Sequence, residues 1–344
     1  MAILFLLTVS AILRGESLES IVEAMVGADP GYIILSVVCV ILFLFIQGIS
    51  IRISLRALGQ TTNMFHCTLY SFTGFFYCCI TPFQIGGPPM QVFYMHKEDI
   101  PVPVSSAVLL VVAAMYKVVL VVVGILVLIF GARYTLGPLW EIMPIYGIGM
   151  LFTVAFCTFL GMLILHPNLA RRFLVKMVTV LTDKHILRYN EDRIPNLNKA
   201  MDKYRDTASF FKEHNALMVV IFVLSFVQRF VLYTSTYFVY LALGLGGTGW
   251  FRIVLFQAII SLCVDMLPVP GGVGISEYIF TVIFSGIFTG GTLIPGLVLS
   301  RGIAYYVQLI ICAAVAVFTH LHFRNYTEAK ERAHAEEQQN VEKQ

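Results

Sequence analysis

The chain has 344 residues, 58% hydrophobic and 12% charged, with a mean hydropathy of +0.83. A water-soluble domain carries about 25% charged residues, so this composition excludes an ordinary soluble globule and indicates a polytopic membrane protein. The net charge of +3 is small, and the seven cysteines (Cys39, Cys67, Cys78, Cys79, Cys157, Cys263, Cys312) lie in apolar segments without C-x-x-C spacing, which argues against a disulfide framework or a cysteine metal site.

In chain order, the stretch 1–13, "MAILFLLTVSAIL", has no basic n-region and no small-residue cleavage site. It reads as a short first span, clipped at its start, rather than a signal peptide. Residues 14–30 set Glu16, Glu19, Glu23 and Asp29 against a single Arg14. Apolar runs of about 20 residues are needed to cross a bilayer, and 31–51, 102–131, 146–166, 215–244 and 297–321 qualify. The polar insert 167–214 carries ten lysines and arginines, and basic loops stay cytoplasmic. The first membrane half is therefore 1–166, followed by a cytoplasmic basic helical insert, 167–214. The second membrane half is 215–322, and a charged cytoplasmic tail runs over 323–344.

Two stretches break this apolar pattern in similar words: "TPFQIGGPPMQ" at 81–91 and "MLPVPGGVGISEYIF" at 266–280. Arg52 and Arg56 lie on the cytoplasmic side and the basic-poor segment 132–145 outside, which requires an odd number of crossings between them. That parity is met if 61–96 is a re-entrant hairpin turning at the first Gly/Pro stretch. A second re-entrant hairpin, 252–289, then enters from the other face. Aligning Gly86-Gly87 with Gly271-Gly272 lays 31–51 over 216–236 and 102–131 over 287–316. Lys117 lies 30 residues after Gly87, and Arg301 lies 29 after Gly272. The predicted fold is an all-α polytopic helical bundle with two broken hairpins in an inverted-topology repeat.

Non-helical backbone at membrane depth is tolerated where it is buried in protein or lines a polar cavity. Glycine supplies the unusual φ values and close approach, and proline ends the incoming helix. The helix starting after each turn aims its N-terminus at the midplane, where an anion is favoured. The candidate transport site therefore gathers Gln84, Gly86, Gly87, Pro89 and Gln91 from the first break. From the second it gathers Pro268, Pro270, Gly271, Gly272, Gly274 and Ser276, with Tyr305 adding a hydroxyl. The ionisable members are Lys117, Arg229, Asp265, Glu277 and Arg301. A charge at membrane depth costs at least about 2.5–3.5 kcal/mol and is by default functional or paired. Three cations against two carboxylates leave one positive charge over. A purely structural pairing, Arg229 with Asp265 for instance, stays open at this stage. No G-x-x-x-x-G-K-[ST], H-E-x-x-H or G-x-S-x-G occurs. The eight histidines are scattered, with His320 and His322 at a membrane edge, and read as interfacial residues rather than metal ligands. No catalytic residue, metal or cofactor is expected. The insert sets six acids among its ten cations and lies at the membrane, so a lipid-facing helical pair is expected there and no nucleic acid.

"TPFQIGGPPMQVFYMHKEDIPVPVSSAVLLV", "LPVPGGVGISEYIFTVIFSGI" and "SRGIAYYVQLIICA" together resemble the membrane region of the lysylphosphatidylglycerol synthase family, the flippase-like domain, over about 30–322. The resemblance implies a lipid translocator in a bacterial plasma membrane. Such a protein moves an anionic or aminoacylated phospholipid such as lysylphosphatidylglycerol outward, lowering surface negative charge and giving resistance to cationic antimicrobial peptides. In full-length relatives a soluble domain, which makes that lipid from lysyl-tRNA and phosphatidylglycerol, should follow the last span. Only some twenty hydrophilic residues do so here, so a standalone form without lysyltransferase activity is expected. Two alternatives remain: the membrane part of a lysyltransferase working with a separate aminoacyltransferase, and a carrier of small anions or polyprenyl-phosphate lipids. Homo-oligomerisation is left open.

Overall fold

A computed structural model of the chain describes residues 23–81, 84–169, 171–172, 175–176, 193–265, 272, 274–289 and 291–324, the side chains of 130–140, 193, 194 and 196 excepted. The expected span 1–13, Pro268, Pro270 and Gly271, much of the 167–214 insert and the tail beyond 324 lie outside these residues. Among the described residues every regular element is helical: α1 (Pro30–Ala57), α2 (Met64–Ile80), α3 (Gly87–Lys97), α4 (Val102–Leu165), α5 (Arg193–Glu213), α6 (Asn215–Ala242), α7 (Trp250–Val264), α8 (Ile275–Phe284) and α9 (Leu293–Arg324). Five segments are long and apolar enough to cross a bilayer: α1, Val102–Ile129 and Glu141–Leu165 of α4, α6 and α9. The chain is an all-α, multi-pass membrane protein.

Local chemistry sets the helix ends. Asp29 accepts the N–H of Gly31 at 2.7 Å with Pro30 in the first turn, so α1 starts on a side-chain cap and a preset φ. Asn63 caps α2 by accepting from Phe65 N. α3 closes on Asp99, which turns left-handed at φ 62°, and Pro101 precedes the next helix.

α4 is helical over 64 residues, including the 132–145 segment. A straight helix of that length would run roughly 96 Å, about three times the hydrocarbon thickness. It does not run straight: Tyr146 Oη donates to Gly124 O at 2.7 Å, a contact that 22 residues of straight helix would forbid. At the other end, Ala107 and Leu110 share a cluster with Leu163. The two limbs of α4 therefore lie antiparallel, as two spans. α5 closes the base of the second limb. Its Tyr204 Oη and Lys212 Nζ each donate at 3.2 Å, to Leu163 O and Leu165 O, carbonyls in the last turn of α4 that have no helical partner ahead of them.

α1 and α6 form the central pair. Asp29 N–H donates to Ala242 O at 2.8 Å, Ser36 Oγ to Ser235 O at 3.0 Å and Gln228 Nε2 to Phe43 O at 3.1 Å. The contacts recur every seven residues on both helices in opposite directions, the spacing that keeps one seam in register along two antiparallel helices. Inter-helix hydrogen bonds in a membrane contribute about 0.6 kcal/mol each on average, so the seam fixes register more than it supplies stability.

The short helices pack as two antiparallel hairpins. In the α2–α3 pair a Cβ on Gly87 would lie 2.7 Å from Gly74 O and 2.4 Å from Cys78 Sγ, so the backbones nearly touch. Above this contact the Gln91 amide crosses Gly74 and donates to Tyr70 O at 3.0 Å. In the α7–α8 pair Phe256 stacks edge-on against Phe284 at 5.7 Å. Gly272 has φ +62°, and a Cβ there would fall 1.8 Å from Val264 Cγ1. The second limb of α4 approaches α7 as closely, a Cβ on Gly149 lying 2.6 Å from Leu262 O.

These contacts sort the glycines. Gly87→Ala and Gly149→Ala should each destabilise the protein by about 1–3 kcal/mol through overpacking against backbone. Gly161→Ala, on the same helix as Gly149 but with nothing within 4 Å, should be neutral or stabilising by up to about 1 kcal/mol. Thermal melting of the three variants in detergent checks this; equal melting of Gly149→Ala and Gly161→Ala would contradict the close approach.

Candidate functional site

Among the described residues, the ionisable side chains singled out from the sequence form two groups. In the first, Asp265, at the C-terminal end of α7, receives two cations. Lys117 Nζ, from the middle of the first α4 limb, is ion-paired to Oδ2, and Arg229 Nη2, from the middle of α6, lies 3.6 Å from Oδ1. Lys117 is 8% exposed and Arg229 2%. The Arg229 guanidinium sits 3.8 Å above the Tyr116 ring and donates from Nη1 to Tyr233 Oη at 3.4 Å. Its Nε and Nη2 have no hydrogen-bond acceptor among the described residues. With all three ionised, one carboxylate facing two cations leaves this group with one net positive charge in a largely buried position.

The second group is balanced. Glu277, 1% exposed, accepts from Arg301 Nε at 2.9 Å through Oε1. Its Oε2 accepts the Gly274 N–H at 2.6 Å and lies 2.9 Å from Ser276 Oγ, whose hydroxyl also lies 3.0 Å from Gly272 O. Glu277 thus reaches back over the first turn of α8, and Gly274, with φ 94°, supplies the bend that turns its N–H toward the carboxylate. Arg301 ends the α-helical turns before a π-helical turn, Gly302–Val307, and its guanidinium lies 5.3 Å from the Tyr305 ring. A π turn carries one extra residue and is common where a helix re-aims side chains at a function.

The end of α2 lies between the two groups. Cys78 is within electrostatic reach of Lys117 and Asp265, and its neighbour Cys79 of Arg301. Tyr305 Oη donates to Cys79 O at 3.0 Å. Past it, Gly86 N–H donates to Thr81 Oγ1 at 3.0 Å, and Gln84, exposed and left-handed at φ 57°, accepts from Cys78 Sγ.

The sequence-predicted residues divide accordingly. Lys117, Arg229 and Asp265 meet in one group, and Glu277, Ser276, Gly272, Gly274, Arg301 and Tyr305 in the other. Gly86 and Gly87 shape the first turn. Gln91 is absorbed by the hairpin contact with Tyr70, and Pro89 is exposed. The expectation of free helix N-termini changes. Glu277 already occupies the start of α8 as its anion, and at the start of α3 Pro88 and Pro89 have no N–H to offer. Positive charge at this site is a property of side chains. Tyr233 and the Cys79 carbonyl were not singled out from sequence; Tyr233, one helical turn after Arg229, could have been found from that spacing.

Beside the second hairpin an apolar cleft of about 330 Å³ opens between it and the second α4 limb, lined by Ile148, Gly149, Phe152, Cys263, Gly274 and Tyr278. Ile148, Phe152 and Tyr278 are more than half exposed, so the cleft opens sideways on a face of the spans.

The family model described as the lysylphosphatidylglycerol synthase TM region matches residues 1–312, and the chain belongs to that family. Comparison with curated proteins gives no match.

The charge arrangement orders three substitutions. Asp265→Asn strands two buried cations and should cost about 3–5 kcal/mol. Lys117→Met leaves Arg229 and Asp265 balanced and should be the mildest, with Arg229→Met between, because it also empties the space over Tyr116. Melting temperatures in detergent check the order, and an Asp265→Asn variant more stable than Lys117→Met would contradict the shared carboxylate.

Proposed function

We propose that this member of the lysylphosphatidylglycerol synthase transmembrane family is a flippase-like translocator of an anionic or aminoacylated phospholipid such as lysylphosphatidylglycerol, acting in a bacterial plasma membrane and contributing to surface charge and resistance to cationic peptides. The observation that carries this reading is the net positive charge of Lys117, Arg229 and Asp265, held among spanning helices beside a glycine turn. A buried cation in excess of its counter-ions is costly unless an anion visits it, and a phosphodiester crossing the membrane is such an anion. The Glu277 side suits an ammonium on an aminoacyl headgroup, which can take the place of Arg301. The sideways apolar cleft suits a cargo whose tails stay in the bilayer and favours a lipid over a small enclosed anion.

The hairpins enter this reading as re-entrant elements. At 1.5 Å per residue the 17 residues of α2 reach about 25 Å and the 11 of α3 about 16 Å, short of the ~30 Å hydrocarbon core. α7 with 15 residues and α8 with 10 are as short. The inverted repeat has support too. When the two glycine pairs are aligned, Phe43 corresponds to Gln228, and these two residues touch across the α1–α6 seam. A two-fold axis in the membrane plane passes between a residue and its own equivalent. Each half's long helix also reaches the other half's hairpin tip: Lys117 meets Asp265, and Tyr305, one turn after Arg301, donates to Cys79 O. The basic α5 side is assigned to the cytoplasm by the positive-inside rule.

Two measurements test this. In vesicles, Lys117→Gln should slow translocation of both lysylated and unmodified phosphatidylglycerol about tenfold or more, whereas Glu277→Gln should slow the lysylated lipid selectively. Wild-type rates for both lipids in Lys117→Gln would remove the anion site. For the hairpins, a bulky impermeant maleimide should label cysteines at Gln60 and Lys97 from one face of the membrane, and the opposite face should not label a cysteine at Ile85. Labelling at Ile85 from that opposite face would make α2 a full crossing.

A further inference from the structure

Away from the charge groups, at the membrane edge marked by Arg56 and Lys97, two histidines 256 residues apart meet. His66, in the first turn of α2, and His322, near the end of α9, have their Nε2 atoms 3.3 Å apart. Their ring centres are 5.4 Å apart, so the rings meet nitrogen edge to nitrogen edge rather than face to face. Behind His66, Glu98 Oε1 lies against Nδ1, and Tyr70 Oη donates to the other oxygen of the same carboxylate. Phe323 and Phe65 pack against the pair from the sides, with ring centres 5.5 and 5.8 Å from that of His66. The site is not sealed: the His66 side chain is 19% exposed and that of Glu98 11%.

The geometry points to a two-histidine site for a divalent transition-metal ion, zinc or copper, with water completing the coordination. Metal–imidazole bonds of about 2.0–2.1 Å at a tetrahedral angle put two ligand nitrogens about 3.3–3.4 Å apart, which is the separation present here before any movement. A metal-bound histidine needs its other nitrogen protonated and held, commonly by a carboxylate. Glu98 does this, keeping the proton on Nδ1 and leaving the Nε2 lone pair toward His322, while Tyr70 fixes the carboxylate in turn. Borderline ions of the zinc and copper type suit imidazole ligands, whereas magnesium and calcium prefer oxygen. Among the described residues no group of three or more His, Cys, Asp and Glu is arranged around one metal, so this is an open, exchangeable site rather than a closed structural one. Its effect would be mechanical, since the ion would clip the base of the α2–α3 hairpin to the end of α9.

The test uses the full chain without a histidine tag, stripped with chelator and given one equivalent of Cu²⁺. Pulsed electron paramagnetic resonance should report two coordinated imidazoles in the wild type and at most one in His66→Gln and in His322→Gln, with affinity lowered about 10-fold or more. Glu98→Gln should retain both imidazoles and bind about 10–100-fold more weakly. Zn²⁺ should raise the melting temperature of the wild type but not of the two histidine variants. His322 is half-buried near a helix end, which makes its substitution the safer for folding; elution as a single species checks each variant. A wild-type spectrum without two imidazoles, or one that both histidine variants leave unchanged, overturns the site and leaves the pair as a plain hydrogen bond.

Discussion

Asp265 is the residue on which the arrangement of the helices turns. It brings together the first α4 limb through Lys117, α6 through Arg229 and the end of α7 through its own backbone. None of the three could hold its charge alone inside a membrane, because desolvating an unpaired ion costs more than any single packing contact returns. Asp265 is also the residue at which α7 ends. Beyond it the sequence enters the Pro/Gly stretch.

The two charge groups are unequal although their cations sit at corresponding places. Lys117 and Arg301 follow their glycine pairs at nearly the same distance, yet both carboxylates come from the second hairpin. The position in the first hairpin that corresponds to Asp265 is Ile80, and the one that corresponds to Glu277 is Val92. The first group thus holds two cations against one carboxylate, and the second holds one of each.

Much of this was legible in the sequence, for physical reasons that differ from one feature to the next. The spans could be read because hydrocarbon admits little besides apolar residues in runs of fixed length. Lys117, Arg229, Asp265, Glu277 and Arg301 could be read because charges are rare there. The pairing of Arg229 with Asp265 was among the readings the sequence left open, and the two do meet; that Lys117 shares the same carboxylate depends on which helices touch and required the α4, α6 and α7 packing. The helical course of 132–145 was not legible either, as Gly137, Pro138 and Pro144 suggest a break. The occupation of the α8 N-terminus by Glu277 was missed although Glu277 stands three residues after Gly274, the spacing of a reciprocal cap. The meeting of His66 with His322 has no sequence signature, being a contact between distant helix ends.

The α1–α6 seam has a consequence for how the protein can diverge. All three of its acceptors, Ala242, Ser235 and Phe43, offer main-chain carbonyls, and one of the three donors, Asp29, offers a main-chain N–H. Only Ser36 and Gln228 contribute side chains. Drift at the acceptor positions leaves the hydrogen bonds in place, provided the helices stay helical and the new side chains pack. The register of α1 against α6 is thus written in two side chains and a seven-residue spacing. Lineages can change much of this interface's chemistry while its geometry stays fixed.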